Sequence, residues 1–260
     1  MLERAKRGIN MNITIIGYGK MGRMIERIAK ERGHNISAII DPYATDATTT
    51  TMIHKTITTE TINSTDVCID FSTPESAINN IEKISALGKD VVVGTTGWYE
   101  DIDRVKSIIA SSDNGIIYSG NFSIGMNLFI RIVANASKMF DKTDAYDPYI
   151  YELHHNQKRD SPSGTAEMIA RAIIDNTKKQ KMTAEILDRR INPEELHVVS
   201  VRAGNIPGTH VVGFDSAADT IELKHTARSR EGFALGAVMA AEFIIGKKGV
   251  FTMDDLLEKY

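Results

Sequence analysis

The stretch ELHHNQKRDSPSGTA, Glu152 to Ala166, gathers two adjacent histidines, a lysine, an arginine and two carboxylates directly around Pro-Ser-Gly-Thr. Histidine is the side chain best suited to move a proton at neutral pH. Lys158 adds a full positive charge, and Ser-Gly-Thr ahead of AEMIARAII offers helix N-terminal amides and two hydroxyls. Together these groups describe a pocket for an acidic ligand with a proton donor over it. Each part also has a plainer reading. Adjacent histidines at a strand end hydrogen-bond in a core or at a surface, Lys158 to Asp160 is a solvated loop, and Pro-Ser-Gly-Thr starts a helix. Those readings leave the grouping itself unexplained. No metal site is expected, because the histidines are adjacent and no His-Glu-x-x-His is present.

A second chemical signal lies near the start. GYGKMG, comprising Gly17, Tyr18, Gly19, Lys20, Met21 and Gly22, fits G-x-G-x-x-G between the apolar run NITIIG and an amphipathic helical pattern. Such glycines allow a tight turn, close approach of backbone to a pyrophosphate, and close helix–strand packing. The helix they open directs its positive end at the phosphates. Asp41 follows roughly 20 residues later, at the end of the next strand-like run, where a carboxylate can hold the adenosine ribose hydroxyls. A dinucleotide site follows, with NADH favoured and NADPH tolerated. Pro42 stands where a cation for a 2′-phosphate is wanted, and Lys20 is the alternative cation. Two further loops, Gly94-Thr95-Thr96 and Ser119-Gly120-Asn121-Phe122, follow strand-like runs. They read equally as plain strand–helix connections or as a lining for the nicotinamide.

The elements that position these groups alternate in the first half. NITIIG, NISAIID, DVCIDF, DVVVG and GIIYSG read as strands, with helical patterns between them. One helix has Thr73 as N-cap and Pro74 at its first position. This is α/β patterning for a Rossmann-type, doubly wound parallel sheet. The second half reads as an α+β domain with an open mixed sheet. There ELHVVSVRAG, GTHVVGFDS and DTIELKHTA are separated by short turns that favour antiparallel pairing. The expected boundaries are 1–121 with 229–260 for the dinucleotide domain, and 122–228 for the second, with a late helix returning to the first. Residues 1–10 read as an extension ahead of a second methionine, Met11.

A chain of 260 residues, 42% apolar and 25% charged, with net charge −3, is globular in composition. Its overall charge gives no reason to expect nucleic acid or an anionic membrane as partner. The single cysteine, Cys68, sits in an apolar run and reads as a buried thiol, compatible with a cytoplasmic location. No apolar run approaches the roughly 20 residues of a membrane span.

ELHHNQKRDSPSGTA resembles the E-x-H-H-x-x-K-x-D-x-P-S-G-T-A motif of the 4-hydroxy-tetrahydrodipicolinate reductase family, also called dihydrodipicolinate reductases. GYGKMG, DVCIDFSTPE, VVVGTTGW, GNFSIGMN, SVRAGNIPGTH and HTARSREGFALGA fall in the family's order from Asn12 to near the C-terminus. The resemblance implies that His154 is the proton donor or acceptor, with Lys158 as its cationic partner. It implies that His155, Ser163, Gly164 and Thr165 bind substrate carboxylates. The glycine loop, Asp41, the two later loops and Arg230 would line the cofactor site. The implied reaction belongs to the diaminopimelate route to lysine. A cyclic imine dicarboxylate is reduced to tetrahydrodipicolinate with hydride to ring C4, in a homotetramer whose domains close over their ligands. The threonine-rich segment between Asp41 and Asp66 is short, so one regular βα unit of longer relatives is expected to be missing.

Two rival readings share the glycine loop. One is an NAD-dependent dehydrogenase of amino or 2-oxo acids, which leaves the HHNQK and PSGT grouping unused. The other is a nucleotide-sensing protein that binds NADH without oxidising it.

Overall fold

The computed structural model describes residues 10–45 and 49–258, so the expected extension lies outside the described residues except for Asn10. The chain divides into two compact units, one running to Ile124 and resuming at Arg230, the other Gly125–Ser229.

The first unit is a seven-stranded sheet, parallel at every pairing. Its strands are β1 (Asn12–Ile16), β2 (Asn35–Ile40), β3 (Ile53–His54), β4 (Val67–Asp70), β5 (Asp90–Val93), β6 (Gly115–Tyr118) and β12 (Gly249–Phe251), in the order β12-β6-β5-β4-β1-β2-β3. The five expected strands are β1, β2, β4, β5 and β6. The two very short edge strands were not separable from loop by pattern, because two or three residues carry no periodicity. The inner strands are buried on both faces, as in β4, where all four residues are buried. Helices α1 (Lys20–Glu31), α2 (Pro74–Ala86) and α3 (Ile102–Ala110) connect strands. Thr73 and Ser76 form a capping box at the start of α2, with Pro74 at its first position.

Helix α6 (Glu231–Ile244) belongs to this unit and joins its core through Ala234, Ala237, Val238 and Ala241, beside Ile13, Ile15 and Ile25. Phe122 is in the same core, and a side chain at Gly236 would meet the Phe122 carbonyl at 1.7 Å. Phe122, Ser123 and Ile124 therefore pack with the first unit, a correction to the expected boundary at residue 122.

The second unit has a five-stranded mixed sheet. Its strands are β7 (Asp147–His154), β8 (Lys181–Thr183), β9 (Glu195–Arg202), β10 (Thr209–Asp215) and β11 (Thr220–Thr226), ordered β11-β10-β7-β9-β8. The β10–β11 hairpin is antiparallel as its short turn requires. The consecutive strands β9 and β10 are not neighbours, because β7 lies between them, parallel to β9 and antiparallel to β10. That insertion brings His154, Arg202 and Thr209 to one end of the sheet. Helices α4 (Ile124–Asp141) and α5 (Gly164–Ile174) cover one face, packing Phe129, Val133, Ile169 and Ile173 onto Ile150, Val198 and Val212.

Candidate active site

In the first unit the strand order reverses at β1, and the glycine loop follows β1 at the sheet's carboxyl edge. Gly17 has φ +86°, and a side chain there would meet the Phe71 carbonyl oxygen at 2.4 Å. At Gly22 it would meet the Gly17 carbonyl at 2.3 Å. The protein's own packing thus requires both glycines. Gly19 differs, for no atom lies within 4 Å of where its Cβ would stand. An open glycine at the start of α1 leaves the backbone accessible to a phosphate, so these residues fit a dinucleotide.

Tyr18 is buried, with its hydroxyl bonded to Glu26 and its N–H donating to Asp41 Oδ2 at 2.7 Å. Asp41 Oδ1 accepts from the N–H groups of Tyr43 and Ala44 at 2.8 and 2.9 Å. Burial works against ionisation of Asp41. These three donors and the Arg23 charge outweigh it and hold the carboxyl below its ordinary range. Lys20 is exposed at the first position of α1, and Met21 packs on the unit's core.

The two later loops are neighbours. A side chain at Gly120 would lie 3.4 Å from the Tyr99 hydroxyl and 3.8 Å from Thr96. The Thr95 hydroxyl is turned inward, donating to Asp70 at 3.0 Å, whereas Thr96 is exposed. Ser119 and Asn121 close a tight turn on each other at 2.9 and 3.0 Å. Arg230 stands at the N-cap position of α6 without a side-chain capping bond and is exposed, next to Glu231, which pairs with Arg27 of α1.

Two residues given no role in the sequence reading organise this edge. Phe71 packs against Gly17, Gly94 and Phe122 at once. Its ring would lie 2.2 Å from a side chain at Gly94, and its centroid is 6.1 Å from that of Phe122. Asp70 is fully buried and accepts from the Ser72 N–H, the Thr95 hydroxyl and the Asn80 amide at 2.8 to 3.0 Å. Burial still pushes its pKa up. An aspartate inside the apolar run DVCIDF was the available signal, since a buried carboxylate must find donors.

In the second unit, β7 alternates outward and inward so that Ile150, Glu152 and His154 are all buried. Glu152 has no exposed surface. Its Oε1 accepts from the Ser163 N–H (2.9 Å), the Ser200 hydroxyl (2.7 Å) and Arg202 Nη2 (2.8 Å). Its Oε2 takes the Ser163 hydroxyl and lies 3.2 Å from His154 Nδ1 and 3.4 Å from His210 Nε2. Burial opposes its ionisation, and the donors win, holding it far below the usual carboxylate range. Burial also pushes His154 down to about 4, opposed by Glu152 and reinforced by His210, Lys158 and Arg202. Glu152, His154 and His210 offer donor atoms within 4.8 Å of one another. The Glu152 oxygens, however, are already taken by N–H and O–H donors, the Arg202 cation among them.

The loop after β7 carries half-buried His155 and Lys158. Lys158 Nζ lies 2.8 and 2.9 Å from the two oxygens of Asp160, and Lys158 together with the Gly164 N–H holds that carboxyl below its ordinary range against burial. Arg202 holds the Asp160 carbonyl at 2.6 Å. Ser163 is the N-cap of α5 and its hydroxyl accepts from the Ala166 N–H at 3.1 Å. With that bond and the one to Glu152, the Ser163 hydroxyl is spent inside the protein. What remains toward solvent at the start of α5 is exposed Gly164 and half-buried Thr165. Glu152, Arg202 and His210 were missed as site residues, although all three stand in quoted stretches.

A parallel sheet with a glycine loop at its switch point is a dinucleotide-binding unit of the kind that pyridine-nucleotide oxidoreductases carry. Among solved structures, a dipicolinate-bound dihydrodipicolinate reductase from Paenisporosarcina sp. TG-14 shares the fold, with a TM-score of 0.78 at 22% identity over 94% of this chain and 98% of that one. A probable dehydrogenase from Thermotoga maritima shares it at 0.62, with 11% identity over 95% and 92%. The particular family follows from the sequence. Residues 11–122 match "Dihydrodipicolinate reductase, N-terminus" and 125–257 match "Dihydrodipicolinate reductase, C-terminus". The chain belongs to the dihydrodipicolinate reductase family. It is 41% identical to the 4-hydroxy-tetrahydrodipicolinate reductase of Christiangramia forsetii over 95% of its own length and 98% of the relative's. To the enzyme of that name from Archaeoglobus fulgidus it is 44% identical over 74% and 76%.

Proposed function

We propose that this chain reduces the cyclic imine dicarboxylate derived from 4-hydroxy-tetrahydrodipicolinate to tetrahydrodipicolinate, in lysine biosynthesis. When bound, a reduced nicotinamide supplies the hydride for ring C4. The open backbone at Gly19, Asp41 and the exposed residues of the Gly94–Thr96 and Ser119–Phe122 loops are the groups that hold it, with Arg230 at their border. Asp41, kept ionised by its N–H donors, favours ribose hydroxyls over a 2′-phosphate, which supports NADH as the better cofactor.

The observation that carries the substrate reading is the carboxylate of Asp160, paired with Lys158 and with its charge favoured by the Gly164 N–H. The corner beside His154 already binds a carboxylate. A substrate carboxylate takes the same donors, joined by Thr165 and His155, while His154 with Lys158 delivers the proton that completes reduction. A second copy covers the sheet face opposite α4 and α5, where Val199 and Val201 are exposed beside the stacked Tyr149 and Tyr151 rings. That supports pairing of chains through this face, within the homotetramer that the family resemblance implies. The buried lone Cys68 and the biosynthetic role fit the cytoplasm, and no helix among the described residues is long and apolar enough to cross a membrane.

The test follows NADH loss with substrate generated in situ from pyruvate and aspartate semialdehyde, repeated with NADPH and with His154→Ala and Lys158→Ala. His154→Ala is expected to lose about 10²–10⁴-fold in kcat with cofactor affinity unchanged. Lys158→Ala is expected to lower kcat and to raise substrate KM. Wild type that binds NADH but never oxidises it would return the protein to the sensor reading.

A further inference from the structure

Resting on the reading of His154 as proton donor, we propose that Glu152 is the positioning residue of the proton-transfer site. It never meets the substrate, being fully buried. It acts through His154, whose orientation and charge it sets, and through Ser163, whose cap starts the carboxylate-binding helix.

His154 Nδ1 lies 3.2 Å from Glu152 Oε2, which turns that edge of the ring inward. Nε2 is then the outward atom, and it borders Gly208, where a side chain would stand only 3.1 Å away. A glycine there leaves the proton-transferring nitrogen uncrowded. The Nδ1 approach to Glu152 falls outside hydrogen-bond alignment. A proton on the ring makes it charge-assisted, and such bonds are shorter and stronger.

Four charged or titratable groups act most strongly on His154. These are Glu152 on β7, His210 on β10, Arg202 on β9 and Lys158 in the loop after β7. Three of the four resist a positive imidazole, and burial resists it too. Glu152 is the one anion among them, so the protonated donor depends on it. The same carboxylate takes the N–H and hydroxyl of Ser163, and the Ser163 hydroxyl also lies 3.3 Å from His210 Nε2. One buried group therefore couples the proton donor to the start of α5.

Glu152→Gln keeps the shape and removes the charge. The expected result is a fall in kcat of about 10–100-fold at neutral pH, within the range of a misplaced general acid. The high-pH limb of the kcat profile should move to lower pH by about one unit or more, equivalent to a tenfold loss at fixed pH. NADH affinity should stay unchanged. Ser200→Ala removes one donor to Glu152 without touching its charge and should leave the limb where it is. A variant that loses kcat with the limb unmoved makes Glu152 merely structural and overturns the proposal. If Glu152→Gln does not fold, the His154 imidazole is titrated by NMR in wild type and Glu152→Asp. Withdrawing the carboxylate by one methylene should lower the midpoint, and an unchanged midpoint overturns the proposal. Wild type inactive on the imine removes the functional reading as well, a failure distinct from an active wild type with an unmoved limb.

Discussion

At the scale of single residues, the three glycines of one motif separate by physics. Gly22 faces a carbonyl oxygen 2.3 Å from its would-be side chain, while Gly19 faces nothing within 4 Å. Gly22→Ala is therefore expected to cost about 1–3 kcal/mol of stability, the usual penalty of overpacking. Gly19→Ala should change stability by less than about 0.5 kcal/mol, as surface substitutions do. It should nevertheless weaken NADH binding. Denaturant melts and NADH fluorescence titrations on both variants check this, and equal stability losses would contradict it. Asp160 supplies a second prediction at this scale. Its carboxylate occupies Lys158, so it competes with an incoming substrate carboxylate. Asp160→Asn should lower substrate KM several-fold with little change in kcat. A raised KM would mean that Asp160 helps to form the site rather than filling it.

At the scale of elements, α5 owes its start to one side chain. Ser163 accepts from the Ala166 N–H and donates to buried Glu152. Ser163→Ala removes an N-cap, worth about 0.5–2 kcal/mol, and leaves a buried carboxylate one donor short. Urea denaturation should show a loss of about 1–3 kcal/mol on those terms. Substrate KM should rise, because the amides of Gly164 and Thr165 depend on the same turn. The loss of cap and ligand site together distinguishes Ser163 from Thr73, which caps α2. In the first unit, Asp70 and Phe71 play a comparable part at the end of β4, tying three loops to one strand end.

At the scale of the whole molecule, protonation of His154 opposes folding. Its pKa is held at about 4 in the folded chain by burial, against about 6.5 for an unperturbed histidine. Between those values the unfolded state binds more protons, so stability is present in full above the upper one and falls as pH drops through the window. His225 is displaced in the same direction by burial. Thermal melts from neutral pH toward the lower value should show wild type losing stability more steeply than His154→Asn. Equal slopes would mean that His154 is solvated when folded.

Much of this molecule could be read from residue order alone. NITIIG, the glycines and Asp41 are consecutive or regularly spaced, and local rules of strand burial, turn geometry and helix dipoles act over such distances. The E-x-H-H-x-x-K-x-D-x-P-S-G-T-A spacing likewise named His154, Lys158 and the start of α5, because they share one short stretch. The pairings that complete the sites were not local. Arg202 and His210 reach Glu152 only because β7 inserts between β9 and β10, a sheet order that sequence spacing does not encode. Asp70 and Phe71 reach their loops only when β4 lies beside β1. Side-chain chemistry and local periodicity thus pointed to which residues could act, and the resemblance of whole motifs, not periodicity, pointed to the family. Only the tertiary structure decided which buried carboxylate each of them answers to, since burial and charge pairing exist only once distant strands have met.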